Sequence, residues 1–323
     1  MNKIIGITIG DIQGIGIRIL IDRWKKNQIN NFILFTDFNL INNIIKQNKI
    51  HDKVNIINKY NKINFIKKKF NIFTYKSISL ENNTYQSLKY GYKFCKDNVC
   101  IGLITLPLRK DLIQKNIDKK FIGQTEFFQK IDKKPYSNMI LYHNKIIISP
   151  LTTHIKLKSV PKVISNKKFI YNQIYNLYNT LIIDLNIKKP KIIISGLNPH
   201  AGENGFLGNE EKKSLIPIIN KLKKRGIIID GPLSADSILI KKNLKKYDCF
   251  VFLYHDQALI PFKYISQFSG VNYTGNLSII RTSPDHGTAY NLVGKKNVSY
   301  TSLINCFKLI NKISKNRTLN AKS

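Results

Sequence analysis

The chain has 323 residues, with 53 Lys and Arg against 19 Asp and Glu, a formal net charge of +34. Hydrophobic residues make up 43% and charged residues 22%, an ordinary globular balance that excludes disorder as the main state. No apolar run approaches the roughly 18–20 residues of a membrane span, and the opening MNKIIGITIGDIQGIG suits a first strand better than a secretory leader, so a cytoplasmic location is expected.

Positive charge on this scale would ordinarily point to nucleic acid or an anionic membrane. Here the excess is nearly all Lys, and Asn and Ile are inflated with it, as in INNIIKQNKI. These three residues share A/T-rich codons, so mutational bias explains them together, whereas a nucleic-acid surface would enrich Lys and Arg without Ile. Neither nucleic acid nor a membrane is expected as a partner. Cys95, Cys100, Cys249 and Cys306 form no C-x-x-C pair, so reduced, partly buried thiols are expected rather than a zinc ribbon or a disulfide framework.

In chain order, Lys3–Ile9 is predicted as a strand, Gly16–Lys26 as a helix, Asn31–Thr36 as a strand and Asp37–Gln47 as a helix. Cys100–Thr105 has the apolar run of a buried strand. Ser137–Thr153 places two apolar runs around Tyr142-His143-Asn144-Lys145, the pattern of a hairpin. A long helix is predicted over Ser165–Asn186. Strands follow at Lys191–Ile194, Ile227–Ile229 and Cys249–Leu253, with helices at Asn209–Arg225 and Ala235–Leu244. Residues Lys315–Ser323 are polar and expected to fray. The alternation predicts an α/β protein with a mainly parallel sheet and an antiparallel part.

In such sheets ligands bind past the carboxyl ends of strands. By that rule His154, His200 and His255 are the informative histidines, each following an apolar run, while His51 and His143 lie in polar turns. Imidazoles from separate strands can hold one divalent metal; satisfied loop-edge histidines are the bland alternative. Gly10-Asp11-Ile12-Gln13-Gly14-Ile15-Gly16 suits a tight strand-to-helix turn close to a ligand, although it lacks the spacing of a Rossmann fingerprint. Arg281–Ala289 could set Gly, hydroxyl and His groups at a helix start, where phosphates bind.

Together GDIQGIG, LITLPLRK (Leu103–Lys110), GQTEFF (Gly123–Phe128), LTTH (Leu151–His154), GLNPHAGE (Gly196–Glu203), GPLSAD (Gly231–Asp236), YHDQ (Tyr254–Gln257), GVN (Gly270–Asn272) and RTSPDHGTA (Arg281–Ala289) run through the chain. In this order they resemble the 4-hydroxythreonine-4-phosphate dehydrogenase family of pyridoxal phosphate synthesis. The resemblance implies two α/β/α domains like those of isocitrate and isopropylmalate dehydrogenases, with a mixed sheet and a cleft between domains. It implies one lobe of residues 1–130 with 270–323 on the cofactor side and another of residues 131–269 on the metal, substrate and dimer side. It also implies a homodimer with shared active sites.

The family's metal histidines fall on His154, His200 and His255, for zinc, magnesium or cobalt. Its contacts to a small phosphorylated amino-acid substrate fall on Gln124, Thr125, Lys263, Asn272 and Arg281. Asp285, His286, Gly287 and Thr288 resemble its NAD or NADP loop. Lys110 and Asp236 are candidates for proton transfer. The implied reaction oxidises a β-hydroxy acid to a β-keto acid that loses carbon dioxide. A related dehydrogenase of a phosphorylated sugar acid, phosphothreonate or phosphoerythronate, is the alternative, and a basic non-enzymatic binding protein a weaker one. Two positions depart from the pattern: Gln124 stands where a His is usual, and Leu106 where Gly precedes Pro107. Since Gln carries no charge, the substitution predicts a weakened substrate contact that a His would restore at lower pH.

Overall fold

The computed structural model describes residues 3–295 and 298–321. Its strands are β1 (Ile5–Thr8), β2 (Phe32–Phe35), β3 (Val54–Ile57), β4 (Phe70–Phe73), β5 (Gly102–Thr105), β6 (Asn138–His143), β7 (Ile146–Pro150), β8 (Lys191–Ser195), β9 (Ile228–Leu233), β10 (Cys249–Phe252), β11 (Val271–Gly275) and β12 (Arg281–Pro284). The helices are α1 (Gly16–Lys25), α2 (Phe38–Gln47), α3 (Leu80–Lys96), α4 (Lys110–Asn116), α5 (Gln124–Ile131), α6 (Val160–Ile164), α7 (Lys167–Ile183), α8 (Ile216–Lys223), α9 (Lys241–Lys246), α10 (His255–Ser266) and α11 (Thr301–Asn320).

The chain divides into two compact units, residues 1–128 with 278–314 and residues 129–277 with 315–323. In the first unit the strands run parallel in the order β3-β4-β2-β1-β5-β12. Strands buried on both faces need continuous apolar sequence, and IGIT, FILF and GLIT are buried throughout. Trp24 of α1 meets Phe70 edge to face at 5.2 Å between ring centroids. In the second unit the order is β11-β6-β7-β10-β8-β9, antiparallel across β11-β6-β7 and parallel beyond. Its core gathers Met139, Leu141, Ile148, Ile193, Phe250, Phe252 and Phe262. All four cysteines are buried free thiols, and burial pushes the Cys249 thiol above its usual range.

The predicted hairpin forms as β6 and β7, turning at Asn144 and Lys145. Several expectations need correction. Residues 270–277 do not join the N-terminal lobe: β11 pairs with β6 and lies in the second unit. The helix expected over Ala235–Leu244 shrinks to Lys241–Lys246, because the Ser237 amide and hydroxyl both bond the Ser234 carbonyl and close a turn instead. The segment at Arg281 is itself strand β12, and residues past Asp285 lead into a 3-10 turn at Tyr290–Leu292 rather than a helix start. The helix expected over Asn209–Arg225 is shorter and begins with a π turn at Glu211–Leu215.

The C-terminal end does not fray from residue 315, since α11 continues to Asn320. Asn316 donates to the Asp184 carbonyl at 2.7 Å, and Arg317 Nε donates to Asp184 Oδ1 at 2.6 Å. The Asp184 carboxylate, only 4% exposed, also accepts the Tyr273 hydroxyl. Removing one partner of such a pair strands the other charge in the interior. Arg317→Met should therefore destabilise the second unit by about 3 kcal/mol or more, read as a lower urea midpoint.

Candidate active site

In the second unit β7, β10 and β8 are parallel neighbours, with Phe250 opposite both Ile148 and Ile193. Their carboxyl ends therefore emerge at one level, and each delivers a histidine. After β7, the Leu151 amide donates to the Phe252 carbonyl at 2.7 Å, and the Thr152 hydroxyl donates to the Leu253 carbonyl at 2.8 Å. These bonds carry the chain alongside β10 as far as His154. His255 opens α10 two residues after the Leu253 amide, which donates to Gln257 Oε1 at 2.9 Å. Gln257 Nε2 donates to the Gly196 carbonyl at 3.0 Å, and the Ser195 hydroxyl donates to its Oε1 at 3.1 Å. One side chain thus ties the ends of β8 and β10 together. Sequence reasoning quoted YHDQ without seeing this role for its last residue.

The His154 and His255 rings lie 5.6 Å apart between centroids. Two imidazoles on one tetrahedral ion would sit roughly 5 Å apart, so the pair fits part of a metal site. Asp256 Oδ1 lies 2.6 Å from His255 Nδ1. A carboxylate there fixes the ring and leaves Nε2 for a ligand. His200 is not gathered with them: among the described residues no three His, Cys, Asp or Glu groups form a metal cluster in one chain. His200 lies instead near Asp236, whose carboxyl is held below its usual range first by the Ser234 hydroxyl and less by His200.

The backbone that carries His200 is unusual. From His200 to Asn204 the φ angles are 51, 55, 83, 40 and 56°, a left-handed coil in which only Gly202 lacks a Cβ. Each L-residue in that region costs about 1–2 kcal/mol. His154 also has positive φ, at 23°. Such strain persists only where surrounding structure over-determines it.

Further along, Lys263 is half-buried on α10, its Nζ 4.9 Å from the Phe268 ring centroid. Asn272 on β11 has its Oδ1 shielded from solvent with no hydrogen-bond donor, an acceptor left open for a ligand.

In the first unit Arg281 is 2% exposed. Its Nε and Nη2 donate to Thr105 Oγ1 at 3.0 and 2.6 Å, Nη1 reaches Thr125 Oγ1 at 3.4 Å, and Nη2 donates to Gln124 Oε1. Burial pushes the guanidinium down to about 10, with Glu126 among the weaker opposing influences. It stays charged at neutral pH, a desolvated cation aimed by neutral oxygens. Gln124 Nε2 in turn donates to the Leu106 carbonyl at 3.0 Å, so the two positions that depart from the family pattern touch each other. Thr105 escaped sequence reasoning because a Thr ending a buried strand carries no distinguishing signal.

Two glycine-rich segments also meet. The Ile15 amide donates to the Thr288 carbonyl at 3.0 Å, and a Cβ at Gly14 would stand 2.9 Å from that oxygen. Asp285 is buried, its amide donating to Ser302 Oγ at 2.8 Å. His286 Nδ1 lies 3.0 Å from the Gly287 carbonyl, and a Cβ at Gly287 would meet nothing. Beside this loop opens a cavity of about 670 Å³ lined by Arg18, Arg23, Lys26, Lys295 and Tyr300 among others. Lys110 is exposed at the start of α4.

The architecture is that of an α/β dehydrogenase class. Isocitrate dehydrogenase from Methylococcus capsulatus superposes with a TM-score of 0.50 at 10% identity, covering 98% of this chain and 86% of its own, a likeness of fold alone. The 4-hydroxythreonine-4-phosphate dehydrogenase of Klebsiella pneumoniae superposes far better, with a TM-score of 0.82 at 25% identity over 97% of this chain and 98% of its own. The family model described as pyridoxal phosphate biosynthetic protein PdxA matches residues 25–310, and the chain belongs to that family.

Its relatives include the 4-hydroxythreonine-4-phosphate dehydrogenase of Wigglesworthia glossinidia brevipalpis, 34% identical over 99% of both chains. That of Aquifex aeolicus is 39% identical over 65% of this chain, a match spanning 64% of the relative, a little under two thirds of its length. A putative D-threonate 4-phosphate dehydrogenase of Oceanobacillus iheyensis is 31% identical over 94% of this chain and 95% of its own.

A charged imidazole at position 124 would also disturb contacts within the folded chain. Gln124 accepts from Arg281 and donates to Leu106. A neutral imidazole can do both; a protonated one cannot accept and repels the guanidinium. The folded-state value of a His at this position is thus depressed, so the stability it contributes is present above the unfolded value of about 6.5 and is lost as pH falls from there through the folded value. Gln124→His should lose up to about 1.4 kcal/mol relative to the parent between pH 8 and pH 5.5, measured by thermal unfolding at both.

Proposed function

We propose that the chain is a nicotinamide-dependent dehydrogenase that oxidises 4-phosphooxy-L-threonine at C3. The product, 2-amino-3-oxo-4-(phosphooxy)butanoate, loses carbon dioxide to give 3-amino-2-oxopropyl phosphate, within pyridoxal phosphate biosynthesis. The observation that carries this reading is the match along 99% of both chains to the Wigglesworthia enzyme.

In this reading the buried guanidinium of Arg281 supplies the positive charge opposite the phosphate or carboxylate, its direction fixed by Thr105 and Gln124. Gln124 acts through Arg281, while Thr125 and Lys263 supply further donors. The open Oδ1 of Asn272 accepts from the substrate ammonium group. Lys110 or Asp236 takes the C3 hydroxyl proton as hydride passes from C3 to the nicotinamide ring. The new carbonyl then accepts the electron pair of the C1–C2 bond as carbon dioxide departs, and the resulting enol takes up a proton. Asp285, His286, Gly287 and Thr288 hold the NAD or NADP, with its far end in the cavity beside Arg18.

His154, His200 and His255 would hold one divalent ion, zinc, magnesium or cobalt. When bound, it lowers the pKa of the reacting hydroxyl and draws charge from its oxygen. Among the described residues His154 pairs with His255 and no third ligand joins them in one chain, which supports a third imidazole from a second copy in a homodimer. Exposed apolar residues accompany all three in sequence: Ile155 and Leu157 after His154, Phe206 at 85% exposure after His200, and Ile260 and Tyr264 on the helix that His255 opens. A second reading, oxidation of a threonate 4-phosphate, rests on the Oceanobacillus relative. It differs by a hydroxyl in place of the amine.

Reduced-nicotinamide absorbance tests the reaction. Turnover should be higher on the amino substrate than on threonate 4-phosphate, and the reverse order would assign the second reading. Chelation should abolish turnover and added divalent ion restore it. His154→Ala and His200→Ala should each be inactive alone. Mixed and allowed to exchange subunits, they should regain about a quarter of wild-type activity, because each heterodimer would contain one intact site. No recovery despite verified exchange would place His154 and His200 in one chain.

A further inference from the structure

We propose that Glu211 is the positioning residue that presents His200. This inference rests on the reading of His200 as a metal ligand. Glu211 is 2% exposed and lies eleven residues beyond His200, opening the π turn Glu211–Leu215 that precedes α8. π turns are frequent at functional sites. Its carboxyl group faces the root of the left-handed coil. Oε1 accepts from the Leu197 and Asn198 amides, both at 2.8 Å, and Oε2 accepts from Asn198 Nδ2 at 3.0 Å. The same Asn198 amide group donates to Glu210 Oε2 at 2.8 Å, which fixes the direction of the side chain.

The coil is built around this group. A Cβ at Gly202 would lie 2.8 Å from Glu211 Oε2, and one at Gly196 would lie 3.2 Å from Oε1 and 2.7 Å from the Ala201 Cα. Glycine at both positions lets the strained backbone close on the carboxyl. His200 lies two residues past the held Asn198, on the first left-handed residue of the coil. Without three acceptor contacts at its entrance, residues 200–204 would relax toward φ below zero. The imidazole would then leave its direction. Glu211 touches no reacting atom; it acts through the backbone.

The test is Co²⁺ affinity by calorimetry and by the cobalt absorption bands, on full-length wild type, Glu211→Ala, Glu211→Gln and His200→Ala, each shown to be folded by circular dichroism. Changes around metal ligands typically cost 10–100-fold in affinity. Glu211→Ala should weaken Co²⁺ by about that range and shift its bands. Glu211→Gln keeps an acceptor for the backbone amides but turns a donor toward Asn198, and should fall between wild type and Ala. If the Ala variant does not fold, the Gln variant decides. Wild-type Co²⁺ affinity in a folded Glu211 variant, with His200→Ala defective, would overturn the positioning role while leaving the ligand reading intact. Undiminished affinity in His200→Ala would remove the ligand reading and this inference with it. A purely structural role for Glu211 would lower the melting temperature and leave Co²⁺ affinity and bands unchanged.

Discussion

The register of three parallel strands is the constraint on which the second unit's chemistry depends. Because β7, β10 and β8 are hydrogen-bonded in step, their ends lie together; the segments after β7 and β10 bring His154 and His255 side by side, while the coil after β8 carries His200 apart from them. Short connections keep that precision. His255 opens a helix almost at once, and Thr152 is bonded to Leu253 before the chain reaches His154. Gln257 then locks β8 to β10 by binding Gly196, Ser195 and Leu253 together. A slip of one residue in any of these pairings would turn every side chain to the opposite face.

Around that frame the molecule tolerates local cost. A run of left-handed residues, a carboxyl buried at Glu211 and a guanidinium buried at Arg281 each oppose folding when taken singly. Each is compensated by directed hydrogen bonds: amides on Glu211, and Thr105, Thr125 and Gln124 on Arg281. Rigid polar groups of this kind suit recognition of a charged substrate, since little reorganisation remains when it binds.

Arg281 also explains how a departure from the family pattern is accommodated. Gln124 does not stand alone as a weakened copy of a histidine. Its amide oxygen receives the guanidinium, its amide nitrogen reaches the Leu106 carbonyl, and Leu106 itself is buried against Gly10 and Gly16. The two unusual residues form one contact chain with the glycine turn after β1. The effect of a substitution there therefore includes these contacts as well as its charge.

Much of this was legible in the residues. Unbroken apolar runs such as FILF and CFVF, set between turn residues, suit strands buried on both faces, and the hairpin around Asn144 follows from its turn residues. The rule that ligands gather at strand ends picked out His154, His200 and His255, and the ordered motifs carried the family. Sequence could not assign β11 to its unit, because the strand's partner, β6, lies over a hundred residues earlier. Nor could it foresee that α11 holds to Asn320, since the buried Asp184 that secures Arg317 is equally distant. The pairing of His154 with His255, the separation of His200, and the roles of Gln257, Thr105 and Glu211 depend on the same kind of contact. Local propensity and periodicity report on neighbours a few residues apart, whereas these side chains take their function from partners that only the folded backbone brings within hydrogen-bonding distance.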